Sequence, residues 1–267
     1  MAALAAPRRV SLSLDALLYR GAAARLTCRF RVVDGRRVYE RFGGDAGPRV
    51  ILVHGIGVSG RYLLPTAARL AWDCRVYVPD LPGFGRSGRL GRRPTVAALT
   101  DALAAWLEAA AGGADVVVAN SFGCQLALEL AARRPELVDR LVLVGPTVDA
   151  SGRTLREQAV RLALDAAREP PQLDLLQAFD YCVHVAKSGV GGFVEMVRDR
   201  PEERLRAVSA PTLVVRGERD AIVSRAWAER IARGVQNGRL VEVPGSGHTV
   251  NYAAPEALAR LVREHLL

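Results

Sequence analysis

The tightest constraint on the fold is a run that changes character twice within ten residues, Asp115-Val-Val-Val-Ala-Asn-Ser121-Phe-Gly-Cys124. Its β-branched start reads as a buried strand. The small-x-Ser-x-Gly step from Ala119 to Gly123 is a tight corner, and Gln125 to Arg134 is helix-forming directly behind it. A strand that passes into a helix across such a corner holds a serine hydroxyl clear of the backbone, as a nucleophile elbow does. That hydroxyl is a weak nucleophile unless a base takes its proton. The corner therefore predicts a histidine and an acid further along the chain.

The strand-then-helix unit recurs. Val50 to Val53, Arg75 to Val78, Leu141 to Val144, Thr212 to Val215 and Leu240 to Val243 read as short buried strands. Helices are predicted over Arg61 to Trp72, Thr95 to Ala111 (with Pro94 ahead of a threonine cap), Ser224 to Arg233 and Pro255 to His265. Leu26 to Val33 and Arg37 to Phe42 form a hairpin across Asp34-Gly35, a favoured turn pair. Such alternation predicts an α/β fold, a doubly wound and mostly parallel sheet of eight strands with helices on both faces. Sites in these sheets gather at the C-terminal ends of strands.

Between Thr147 and Arg206 the alternation stops. Helices are expected over Thr154 to Arg168, Leu173 to Ser188 and Phe193 to Arg198, separated by Pro170-Pro171, Gly189 to Gly192 and Pro201. The expected organisation is a core of residues 1–147 and 206–267 with a helical lid at 148–205, hinged at Gly189 to Gly192. Leu162, Leu176, Phe179, Val183, Phe193 and Met196 are candidates either for a substrate pocket or for the lid's own core. Arg198 and Arg200 would meet an anionic group or solvent.

Elimination picks the base from four histidines. His54 precedes the serine, His184 sits in a helical run, and His265 lies in the last helical turn. His248 remains, in the small-residue loop Val243-Pro-Gly-Ser-Gly-His248 after a strand, where sharp turning brings an imidazole near the serine. The acid should end another strand. Asp220, after Thr212-Leu-Val-Val-Arg-Gly217, is favoured over Asp149 one strand earlier and over Glu218. Backbone N–H groups of Phe122 and Ile56 would form an oxyanion hole, with both side chains walling the pocket.

The chain resembles the lidded α/β-hydrolases, from about Arg31 to the end. His54-Gly-Ile-Gly57 is similar to the family's early glycine loop, and Asp80-Leu-Pro-Gly-Phe-Gly-Arg-Ser-Gly88 to its segment after the fourth strand. The elbow, Gly217-x-x-Asp220 and Gly247-His248 come in the family's order. Ala119 departs from it, standing where a glycine is usual.

Composition bounds the alternatives. The net charge of +9 comes from scattered arginines, with Lys187 the single lysine, so no nucleic-acid patch is expected. Cys28, Cys74, Cys124 and Cys182 are too dispersed for a metal site and read as thiols in a reducing compartment, Cys28 and Cys74 within strand-like runs. Arg8-Arg9 hints at export, but Asp15 and Arg20 interrupt the segment behind it, and no run approaches a membrane span. A cytoplasmic enzyme without cofactor or metal is expected.

The expected reaction is cleavage of a carboxylic ester, thioester or lactone of a small to medium-sized hydrophobic substrate through Ser121, His248 and Asp220. Two rivals stay open. Asn120-Ser121-Phe122-Gly123 and Leu143-Val-Gly-Pro146 resemble the C–C bond hydrolases of meta-cleavage products. Against that, Thr249 and Cys124 replace their tryptophan and second glycine. The other rival is a non-hydrolytic cyclase, lyase or receptor on the same fold.

Overall fold

The computed structural model describes residues 8–9, 26–91, 94–188 and 190–267. Asp15, Arg20 and Gly189 of the expected hinge lie outside them. The strands are β1 (Arg8–Arg9), β2 (Leu26–Val33), β3 (Arg36–Gly43), β4 (Arg49–Val53), β5 (Arg75–Pro79), β6 (Val116–Asn120), β7 (Leu141–Val144), β8 (Thr212–Gly217) and β9 (Gly238–Val243). They form one sheet in the order β1-β2-β3-β5-β4-β6-β7-β8-β9. The eight strands expected from the sequence are β2 to β9, and the two-residue β1 adds an edge. From β5 across to β9 every pairing is parallel, whereas β1, β2 and β3 pair antiparallel and β3 meets β5 antiparallel.

The β2–β3 hairpin turns at Asp34 (φ 49°) and Gly35 (φ 73°), the paired positive φ of a tight primed turn. Every residue of β6, β7 and β8 is buried, because helices cover both faces of the sheet. The pleat sorts the side chains. Ile51, Val53, Val117 and Ala119 join one apolar layer with Leu103 and Trp106 of α2 (Val96–Ala111), Leu126 of α3 (Phe122–Arg133) and Ile231 of α7 (Arg225–Gly234). Val50, Leu52, Val116 and Val118 face the other layer, with Leu70 of α1 (Leu64–Leu70) and Val262 of α8 (Pro255–Leu266). Local signals fix the helix starts: Thr95 Oγ1 accepts from the Ala98 N–H at 3.1 Å, and Ser224 Oγ from that of Trp227 at 3.1 Å.

Between β7 and β8 the described residues are helical or irregular, with α4 (Leu155–Ala166), α5 (Pro171–Ser188) and α6 (Gly191–Arg198). Thr154 and Glu157 close a capping box at the start of α4. Gly191 and Gly192 form the first turn of α6, so two glycines of the expected hinge are helical. None of the four cysteines is in a disulfide; Cys74 and Cys124 are buried, Cys28 half-buried and Cys182 exposed. Cys74 lies one residue ahead of β5 rather than within a strand. Among the described residues, no helix is long and apolar enough to cross a membrane.

Candidate active site

The chain turns at Ser121 with φ 56° and ψ −123° between β6 and α3. A non-glycine residue persists there only where its surroundings over-determine it. The Ser121 N–H donates to Val144 O at 2.9 Å, and Ser121 O accepts from Cys124 N–H at 2.9 Å. Behind it, a Cβ on Gly123 would lie 2.7 Å from Val53 O and 2.8 Å from His54 O. The crowded corner position is therefore Gly123, whereas Ala119 sits inside the sheet beside Val53 and Leu143.

The loop after β4 closes on the serine. A Cβ on Gly55 would lie 3.2 Å from Ser121 Cβ. The Gly55 N–H donates to Tyr62 Oη at 2.8 Å, and Tyr62 Oη donates to Asn120 Oδ1 at 2.7 Å. Asn120 Nδ2 donates onward to Val144 O at 3.0 Å and His248 O at 3.3 Å. Thus the residue before the serine ties together the early loop, β7 and the histidine loop. Asp80 holds the far side of the early loop, accepting from Gly60 N–H at 2.8 Å and pairing with buried Arg41 at 2.8 Å. His54 is wholly buried, donating from Nδ1 to Gly55 O and accepting at Nε2 from Leu81 N–H. Burial lowers its pKa to about 4, so it is a neutral structural brace.

His248 and Asp220 meet. The His248 Nδ1–H donates to Asp220 Oδ2 at 2.9 Å, while Asp220 Oδ1 accepts from Ile222 and Val223 N–H at 2.8 and 2.9 Å. A Cβ on Gly145 would lie 2.7 Å from the imidazole Cε1 and Nδ1, so glycine is needed beneath the ring. His248 Nε2 is buried and has no hydrogen-bond partner. Burial opposes the imidazolium, but Asp220, then Asp165 and Glu169, outweigh it and raise the pKa to about 9. The two other acid candidates are engaged elsewhere. Asp149 accepts from Ser151 N–H and Oγ and from Ser224 N–H, and Glu218 from Gly245 N–H.

Ser121 and His248 line one cavity of about 300 Å³. Of the six apolar candidates on the helical segment, Leu162, Phe193 and Met196 are on its wall. Leu176 is packed into the core beneath α5, Phe179 is 53% exposed under the Arg61 guanidinium, and Val183 lies off the wall. The reason is helical phase. On α5, Gln177 and Tyr181 face the cavity, leaving positions 176, 179 and 183 on other faces. The Ile56 side chain is on the wall, but that of Phe122 is fully buried in the core away from it. Phe122, as first residue of α3, carries one of the N–H groups that have no acceptor within the helix. Arg198 and Arg200 are exposed and off the wall. His184 is buried, stacked on Phe84 at 4.2 Å; His265 is half-buried and bonded to Pro211 O at 3.1 Å.

Sequence reasoning missed Tyr62, Asn120, Asp165 and Glu169 as parts of this neighbourhood. Asn120 had a signal, its place beside the serine. The other three had none, since their partners are more than 50 positions away or are backbone atoms.

A substitution tests the packing behind the acid. A Cβ on Gly217 would lie 1.9 Å from Gly247 O and 2.5 Å from Ser246 O. Gly217→Ala must therefore push the Asp220 and His248 loops apart. The expected cost is about 1–3 kcal/mol, read as a lower melting temperature, with activity lost at temperatures where the variant is still folded.

The profile of the alpha/beta hydrolase family matches residues 50–261, and the chain belongs to that family. It is 39% identical over 118 residues to Lipase LipV of Mycobacterium tuberculosis (strain ATCC 25618 / H37Rv), a match spanning 44% of each chain; it thus spans under half of that relative's length. It is 31% identical to 2-hydroxymuconate semialdehyde hydrolase of Pseudomonas putida, covering 84% of this chain and 88% of that one. Among solved structures, a putative lipase from Acinetobacter baumannii AYE superposes with a TM-score of 0.79 at 19% identity, over 97% of both chains.

Proposed function

We propose that the protein is a serine hydrolase acting on a carboxylic ester, with Ser121 as nucleophile, His248 as base and Asp220 as the acid that orients it. The observation that carries this reading is the buried, unpartnered Nε2 of His248, a residue that lines the same cavity as Ser121, with Nδ1 fixed by Asp220. Ser121 Oγ attacks the ester carbonyl carbon as its proton passes to His248 Nε2. The oxyanion is held by the Ile56 and Phe122 N–H groups. The ester C–O bond then breaks, His248 protonates the departing alkoxide, and water hydrolyses the acyl-enzyme by the same steps in reverse. Thioesters and lactones meet the same groups.

Residues 148–205 are assigned as a lid over a core of 1–147 and 206–267, because Leu162, Phe193 and Met196 reach the cavity wall. The wall is mostly apolar and carries Asp165, and no lysine or arginine is on it among the described residues. That favours an uncharged, hydrophobic substrate over the anionic diketo acids of C–C bond hydrolases, whose carboxylate would meet Asp165 and no lysine or arginine there.

The test is a fluorophosphonate adduct located by peptide mass, alongside turnover of p-nitrophenyl esters and of a vinylogous diketo acid. The expected result is labelling of Ser121 and ester turnover, with the diketo acid hydrolysed far more slowly. Labelling elsewhere, or faster loss of the diketo acid's visible absorbance, overturns the reading.

A further inference from the structure

We propose that Asp165 and Glu169, two carboxylates at the C-terminal end of α4 and the turn after it, are positioning residues. They hold the His248 loop by its backbone and stabilise the imidazolium that forms when Ser121 is deprotonated. The inference rests on the hydrolase reading, and it makes the lid part of the acid–base apparatus as well as a cover.

The contacts reach both sides of the acid–histidine pair. Asp165 Oδ1 accepts from His248 N–H at 3.3 Å and from Ala221 N–H, next to Asp220, at 3.3 Å. Glu169 Oε1 accepts from Thr249 N–H at 2.8 Å. Gly247 permits this approach, since a Cβ there would lie 2.6 Å from Glu169 Oε1 and 3.6 Å from Asp165 Oδ1. The sequence Gly247-His248-Thr249 is thus gripped from the lid at successive amides.

Both carboxylates are expensive to bury. Asp165 is 3% and Glu169 9% exposed, and Glu169 Oε2 has no hydrogen-bond partner. Among the described residues neither forms a salt bridge with a lysine or arginine. Buried charges are otherwise paired. The groups facing His248 are Asp220, Asp165 and Glu169; those facing Asp165 are His248, Asp220 and Glu169, and it in turn faces the Tyr181 phenol. The one group in this set that becomes cationic is the imidazole. Burial, then the two neighbouring carboxylates, against the pull of His248, hold the Asp165 pKa up at about 6, as expected for a charge short of partners.

A buried carboxylate on the next helix serves as a control. Asp180 on α5 accepts from Ser59 N–H at 2.9 Å and Oγ at 2.6 Å and pairs with Arg61 at 3.3 Å. It ties the lid to the early loop and is not among the groups facing His248.

The experiment is an NMR titration of the His248 ring, assigned with His248→Ala, in the full chain and in Asp165→Asn, Glu169→Gln and Asp180→Asn. The first two keep an oxygen acceptor for the amides but remove the charge. Removing a negative charge destabilises the imidazolium, so the His248 midpoint should fall by about one pH unit in each. The acid limb of kcat/KM should move to lower pH with it, and Asp180→Asn should move neither. In Glu169→Ala the Thr249 N–H loses its acceptor. Because Glu169 is off the cavity wall, kcat should fall about ten-fold or more with KM within about two-fold; Glu169→Gln, which restores the acceptor and not the charge, should recover part of it. An unchanged His248 midpoint in Asp165→Asn and Glu169→Gln overturns the proposal, as does an equal shift in Asp180→Asn. The titration does not need a reactive serine. Loss of fluorophosphonate labelling with the shifts intact would count against the hydrolase reading alone.

Discussion

Ser121→Ala is expected to lower ester turnover by at least about 10⁴-fold and to abolish fluorophosphonate labelling, with the melting temperature within a few degrees of the parent. The two effects separate because the fold uses only the backbone of this residue. Its N–H bonds to Val144 O and its carbonyl accepts from Cys124 N–H, and alanine keeps both. Alanine also carries the same Cβ, so the positive φ of 56° costs it about what it costs serine. What disappears is the proposed nucleophile, and the cavity, the unpartnered His248 Nε2 and the amides of Ile56 and Phe122 stay in place. Residual turnover would come from water activated by that remainder. Turnover within ten-fold of the parent, measured with p-nitrophenyl esters on folded protein, would remove Ser121 from the reaction.

Much of this arrangement is legible in the sequence because it is written in local signals. The valine run before Ser121 has to be a strand buried on both faces, and the glycine after Phe122 has to be a corner. Asp34-Gly35 has to be a hairpin turn, and Thr95 and Ser224 have to be caps. Elimination brings His248 forward because, of four histidines, it alone comes after the serine in a small-residue loop that follows a strand. Asp149 and Asp220 look alike locally, each in a loop after a strand. Their difference is in the long-range partner: Asp149 Oδ2 accepts from Ser224 N–H, 75 positions on, whereas Asp220 Oδ2 accepts from His248 Nδ1–H, 28 positions on.

What stays hidden depends on how elements approach one another. An apolar residue on a lid helix can face the cavity, the core or solvent, and periodicity gives the stripe without saying what covers it. Leu176 and Leu162 look equivalent in sequence, yet the first is in the core and the second on the wall. The position of Phe122 directly after the serine suggests the wall, but the first turn of α3 points its ring into the core while leaving the N–H at the corner. Tyr62 and Asn120 form their chain through atoms 58 positions apart, a distance over which no spacing rule operates.

Asp220→Asn should cost nearly as much as losing the serine, about 10⁴-fold in kcat, although it changes one atom. Asp220 Oδ1 accepts two backbone N–H groups, from Ile222 and Val223, and Oδ2 accepts the His248 Nδ1–H. Asparagine has one acceptor oxygen. The two fixed amides demand that it take the Oδ1 place, since the reverse would set an NH₂ against two N–H donors in a buried loop. The NH₂ then faces Nδ1 and can only donate, so the ring must carry its proton on Nε2. In the proposed mechanism that nitrogen receives the serine proton, and in this tautomer it has no lone pair to do so. The same substitution withdraws the carboxylate that contributes most to raising the imidazole pKa, so the His248 midpoint falls from about 9 as its base function is lost. Kinetics, a melting curve and an NMR titration of the ring together check the argument. The expected outcome is a folded protein with a lowered His248 midpoint and turnover near that of Ser121→Ala. A variant with a lowered midpoint but near-parental kcat would show that the tautomer is set by something other than Asp220.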